Sequence, residues 1–184
     1  MEAIINSFFL VSIAEIGDKT QLLSFILASR FKKPLPIIAG IFVATIFNHW
    51  LAAIFGEFAG DFINPEYQRW ILAGIFFVFG LWILIPDKDD GLNTKSSFGA
   101  FVTTFISFFI AEMGDKTQLA TVALGAQYKA SIDVTIGTTL GMLAANVPAV
   151  LLGEKILKKL PLKYIRYTAC ALFMAFAIYI AFFS

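Results

Sequence analysis

The sequence predicts an all-α membrane protein with six transmembrane helices arranged as two inverted three-helix repeats. Three observations carry this. Of the 184 residues 59% are hydrophobic, 21 are Phe, and the mean hydropathy is +0.80. Soluble domains hold roughly 45–50% apolar residues even with glycine counted. The apolar stretches run to about 20 residues each, the length at which a helix crosses the hydrocarbon core. The second half of the chain also rewrites the first at a constant offset: "AEIGDKTQL" at 14–22 returns as "AEMGDKTQL" at 111–119, 97 residues later.

The elements follow from the breaks between apolar stretches. Residues 4–27 form the first span. No Lys or Arg precedes it and Glu2 stands where a signal peptide carries positive charge, so it reads as a retained helix. "RFKKPLP" ends it, and the second span covers 35–58. After "EFAGDFINPEYQR" comes the third, 67–86, and "PDKDDGLNTKSS" leads to the fourth, 98–125. "GAQYKASID" and "EKILKKLPLK" then bound the fifth, 132–154, and the sixth, 162–183. Every break contains proline, glycine or several charges, as helix ends and loops do. The organisation expected is one integral membrane domain: a first repeat at 1–86, a cytoplasmic connecting loop at 87–97, and an inverted repeat at 98–184.

The duplication extends beyond the motif. At the same offset Gly40 meets Gly137, Ala52 meets Ala149, and Gly56–Glu57 meets Gly153–Glu154. Arg69 meets Arg166, and Phe76, Phe79 and Ile83 meet Phe173, Phe176 and Ile180. Self-similarity of this kind marks a structural repeat. An odd number of spans per repeat turns the second copy upside down. Charge agrees: Arg30, Lys32, Lys33, Lys88, Lys95, Lys155, Lys158, Lys159, Lys163 and Arg166 fall on one side, and only Arg69 and Lys129 on the other. The positive-inside rule then puts both termini outside the cytoplasm.

The repeated motif places charge where it is least welcome. A charged residue at the centre of a membrane helix costs roughly 2.5–3.5 kcal/mol on insertion scales. Glu15 and Asp18, three apart, are expected on one helix face, continued by Gln21, with Lys19 and Thr20 beside it. Gly17 and Gly114 allow either a break in the helix or a close backbone approach. Joining the two halves brings Glu15, Asp18, Glu112 and Asp115 together. Four carboxylates in a low dielectric cannot all stay ionised and unpaired, so protons or a cation must sit among them. The same oxygens would serve both, which is the chemistry of cation/proton exchange. The donors nearby are carboxylate, amide (Gln21, Gln118) and hydroxyl (Thr20, Thr117), a set suited to hard divalent cations and not to zinc or copper.

Weaker candidates surround this group. Lys19 and Lys116 either neutralise the empty site or turn aside, and an intrahelical Glu15–Lys19 or Glu112–Lys116 pair is the structural alternative. Asn48 and Asn146 lie at similar depth in spans two and five as auxiliary ligands or interhelical hydrogen-bond formers. His49 beside Asn48 reads more simply as a packing residue. Glu57 and Glu154 recur near span ends, as gate residues or solvated ends. Gly137-x-x-x-Gly141 reads as a packing face. Cys170 is the sole cysteine, which excludes an intrachain disulfide and a thiolate metal cluster. With no His pair or nucleophile–base set, an enzyme is not expected.

One Glu-x-Gly-Asp-Lys-Thr per three-helix half resembles a known family: membrane cation/proton antiporters with a duplicated E-x-G-D-[KR]-[ST] signature. These include Golgi and chloroplast manganese/calcium transporters and bacterial manganese exporters. The resemblance spans the whole chain. It implies Glu15, Asp18, Glu112 and Asp115 as metal ligands, supported by Thr20, Gln21, Thr117 and Gln118, with Mn²⁺ or Ca²⁺ and protons as substrates and no cofactor. The short "PDKDDGLNTKSS" loop points to a bacterial inner membrane. The expected activity is export of Mn²⁺, or alternatively Ca²⁺, against protons by alternating access at a midplane carboxylate site. A passive divalent-cation channel and an exporter of small organic cations such as basic amino acids are the competing readings. Lipid and a divalent ion are the expected partners, nucleic acid is not, and the residues leave the oligomeric state open.

Overall fold

The computed structural model describes residues 1–85, 98–152 and 161–183. The connecting loop, Glu154 and the basic residues Lys88, Lys95, Lys155, Lys158 and Lys159 lie outside the described residues. The described chain is all α: α1 (Glu2–Glu15), α2 (Lys19–Phe31), α3 (Pro34–Asp61), α4 (Pro65–Ile83), α5 (Ala100–Glu112), α6 (Lys116–Tyr128), α7 (Ser131–Leu152) and α8 (Leu162–Phe183). Shifting the first four by the sequence offset lands on the second four. Even an unusual helix end is copied: Lys32 (φ 52°) closes α2 and Lys129 (φ 46°) closes α6, both left-handed.

Three of these helices, α3, α7 and α8, are long and apolar enough to cross a membrane. The first and fourth predicted spans differ from expectation. Neither is a continuous helix: each breaks at its motif into two half-helices, α1 with α2 and α5 with α6. α1 has 14 residues and α2 has 13, about 20 Å each at 1.5 Å per residue, so neither covers an approximately 30 Å core alone.

The two halves interlock. α1 packs on α7 and, in the matching position, α5 packs on α3. Gly137 and Gly141 make the first of these contacts possible, since a Cβ at either would press on the α1 backbone at Ile4 or Phe8. This is the small-residue face that lets helices approach without a hydrophobic driving force. α4 and α8 run antiparallel, with Trp70 against Phe182 at one end and Gly80 against Cys170 at the other. Between them the duplicated aromatics meet: the Phe76 and Phe176 rings sit 4.9 Å apart, edge to face. A second cluster gathers Leu23, Leu27, Ile37, Ile41 and Phe108. Phe9, Phe55, Phe77, Ile110 and Phe182 face outward, an apolar exterior that suits contact with lipid tails.

Candidate functional site

Each motif is built as a helix break. α1 ends at Glu15, Ile16 turns extended (ψ 116°), Gly17 takes φ +85°, and Asp18 caps α2 by accepting from the Lys19 backbone N–H at 2.9 Å. In the second copy α5 ends at Glu112, Met113 is extended (ψ 114°), Gly114 takes φ +77°, and Asp115 stands at the N-cap of α6. A side chain with a Cβ is strained at such φ values, so glycine is the residue that permits the turn. The expectation that Glu15 and Asp18 share a helix face is therefore corrected. Glu15 ends one half-helix and Asp18 begins the next.

The glutamines hold the break. The Gly17 N–H donates to Gln21 Oε1 at 2.9 Å and the Gly114 N–H to Gln118 Oε1 at 2.6 Å. Gln21 also donates through Nε2 to the Ala145 carbonyl at 2.8 Å, tying α2 to α7. The threonines hold the glutamates: Thr20 donates to Glu15 Oε2 at 2.6 Å, and Thr117 to Glu112 Oε2 at 3.1 Å. One oxygen of each glutamate is thus fixed and the other left over.

The two glutamates converge with Asp115. Glu15 and Glu112 are fully buried and Asp115 is 6% exposed. One carboxylate oxygen from each of the three lies within 4.8 Å of the others. Glu15 Oε1, Glu112 Oε1 and Asp115 Oδ2 are buried with no hydrogen-bond partner among the described residues. A buried polar atom without a partner carries its full desolvation penalty. A Ca²⁺-sized ion holds oxygens at 2.3–2.6 Å, so a slight contraction of these separations brings all three onto one ion.

The other predicted residues are distributed around this centre. Asp18 lies outside the three-carboxylate group. It is half-buried and lines a cleft with Gly17, Lys116, Thr117, Ile85 and Arg166. Lys19 Nζ pairs across the halves with Asp115 Oδ1 at 3.2 Å, in place of an intrahelical pair with Glu15. Lys116 Nζ donates to the Ile85 carbonyl at 2.9 Å. Asn48 donates to the Phe109 carbonyl at 3.1 Å, and Asn146 accepts from Ser24 Oγ at 2.8 Å while donating to the Met142 carbonyl at 3.1 Å. Both asparagines therefore join helices. Glu57 accepts from the Ser131 N–H at 3.0 Å and so caps α7. His49 is fully buried, with neither ring nitrogen hydrogen-bonded among the described residues. Arg166, in the Asp18 cleft, and Ser24, on Asn146, join the surroundings of the site only through the fold. The pairing of Arg69 with Arg166 at the repeat offset was the available signal for the first, and nothing local marked the second.

Comparison with known proteins agrees with this chemistry. The family model described as divalent cation/proton antiporter GDT1 matches residues 3–91 and 100–183. A Vibrio cholerae protein assigned as a manganese exporter is 52% identical over 184 residues, covering 100% of this chain and 92% of that protein. A GDT1-like protein of Synechocystis is 26% identical over 203 residues, 97% of this chain and 96% of its own. An Arabidopsis thaliana GDT1-like protein is 24% identical, covering 96% of this chain and 69% of that one. No solved structure matches the chain.

Proposed function

Because the chain belongs to the GDT1 divalent cation/proton antiporter family, we propose that it exports Mn²⁺ in exchange for protons, with Ca²⁺ as the alternative cation. Glu15, Glu112 and Asp115 bind the ion, Asp18 receives it in the adjoining cleft, and Thr20 and Thr117 keep the glutamates oriented. The observation that carries this is the trio of buried, clustered carboxylates contributed by both halves, each of which keeps one oxygen without a hydrogen-bond partner. Without a cation or protons, such a cluster is too costly to bury. The 52% identical Vibrio cholerae relative favours manganese over calcium.

Two oppositely oriented three-span repeats, each with its motif span broken, suit a transporter that opens its shared site to each side in turn. The antiparallel run of the duplicated helices α4 and α8 supports that inversion. The excess of basic residues at the α2–α3 turn and the start of α8 supports termini outside the cytoplasm. With the bacterial relative it also supports an inner-membrane location. The Asp18 cleft is lined by Ile83, Ile85 and Arg166, from the α4–α8 side that this orientation assigns to the cytoplasm, where an exporter collects its cargo. Purified protein in proteoliposomes should alkalinise the lumen when Mn²⁺ or Ca²⁺ is supplied outside, since protons leave as the cation enters, and should leave the lumen pH unchanged without either ion. Folded protein that moves no proton with either ion overturns the reading.

A further inference from the structure

The Lys19–Asp115 pair has no role in holding its own helix. Lys19 is the first residue of α2, the end where the helix dipole disfavours a cation. Its ammonium reaches instead to the opposite half, 3.2 Å from Asp115 Oδ1, and both side chains are mostly buried at 23% and 6% exposure. Asp115 in turn begins α6 and belongs to the carboxylate trio, with Oδ2 unpartnered. One ion pair therefore joins the N-terminal ends of two half-helices from different repeats, on an acid that a cation would need.

We propose that Lys19 is a built-in competitor for the transported cation: its ammonium holds Asp115 in the metal-free protein, and a divalent ion binding to Glu15, Glu112 and Asp115 displaces it. This rests on the site reading above and adds to it a role for Lys19. Like charges repel at close range in a site shielded from water, so an ion on the trio and an ammonium on Asp115 disfavour one another. Binding then releases the tie between α2 and α6. The same event that loads the site frees the halves to move.

The test is calorimetric titration of Mn²⁺ into the full-length protein in detergent. Lys19→Gln removes the competitor, so Mn²⁺ should bind about tenfold tighter or more. Lys19→Arg keeps the charge and should stay within about threefold of wild type. A gain in affinity is the decisive readout, because a lysine needed only for packing would weaken binding when lost. Unchanged or weaker binding in folded Lys19→Gln, as judged by size-exclusion profile and Tm, overturns the proposal while leaving the carboxylate site intact. Wild-type protein that binds neither Mn²⁺ nor Ca²⁺ overturns the site reading as well.

Discussion

Thr20→Val isolates one interaction at the site with little change of volume. Thr20 and its repeat-mate Thr117 do the same job at different quality: the bond to Glu15 is 2.6 Å and that to Glu112 is 3.1 Å. Hydroxyl-to-carboxylate bonds of 2.5–2.7 Å belong to the strong, charge-assisted class. A hydrogen bond to a charged group contributes about 1.5–3 kcal/mol. At about 1.4 kcal/mol per factor of ten, its loss amounts to roughly a 10- to 150-fold change. The bond favours the ionised carboxylate, which is the form that takes a cation. Thr20→Val should therefore weaken Mn²⁺ binding by that range, while Thr117→Val loses about threefold or less. Thr20→Ser, which restores the hydroxyl, should recover most of the affinity. Titration calorimetry at fixed pH, with Tm as a control for folding, measures all three. If Thr20→Val binds within twofold of wild type, or Thr117→Val suffers more, the hydroxyls do not tune the site as argued.

Other outcomes follow from the same geometry. Glu112→Gln and Asp115→Asn should each abolish metal-driven proton flux in proteoliposomes while the protein still inserts, and normal flux from both would remove them from the site. Mn²⁺ affinity should fall as pH falls, because protons and the cation compete for the same carboxylate oxygens; affinity independent of pH would separate metal binding from proton uptake. Gly17→Ala and Gly114→Ala each force a Cβ into left-handed backbone, at about 1–2 kcal/mol. At Gly17 that Cβ would also meet Leu162 Cδ2 at 2.5 Å, whereas nothing lies within 4 Å at Gly114. Leu162 Cδ2 is the movable end of a side chain, so thermal unfolding should find both variants less stable than wild type, and two unchanged Tm values would contradict the left-handed turns.

Several features were legible in the residues because they depend on local chemistry. Pro34 fits the first turn of a helix, and clustered charge and glycine mark the turns around it, so the breaks around 30–36 and 125–133 were readable. The repeat was readable since it is a property of the string. The helical spacing of Glu15 and Asp18 misled because it assumed an unbroken helix. Gly17 at φ +85° ends that assumption, and glycine alone does not announce which of its permitted conformations it will take. Gln21 and Gln118 read as donors near a cation, but their oxygens accept the Gly17 and Gly114 amides. Backbone groups freed by a break must be satisfied, and that need appears only once the break is known.

What the sequence determined alone was the inventory: apolar spans, two copies of an acidic signature, and an all-oxygen donor set with no thiolate beside it. These are sums over residue type and spacing, which no fold can alter. Tertiary structure decided the partners. Glu15 meets Glu112 and Asp115, Lys19 turns to the far half, and Asp18 stands in the neighbouring cleft. Such choices depend on how two half-molecules pack, and residues 97 positions apart carry no local signal of which oxygen will be left without a partner.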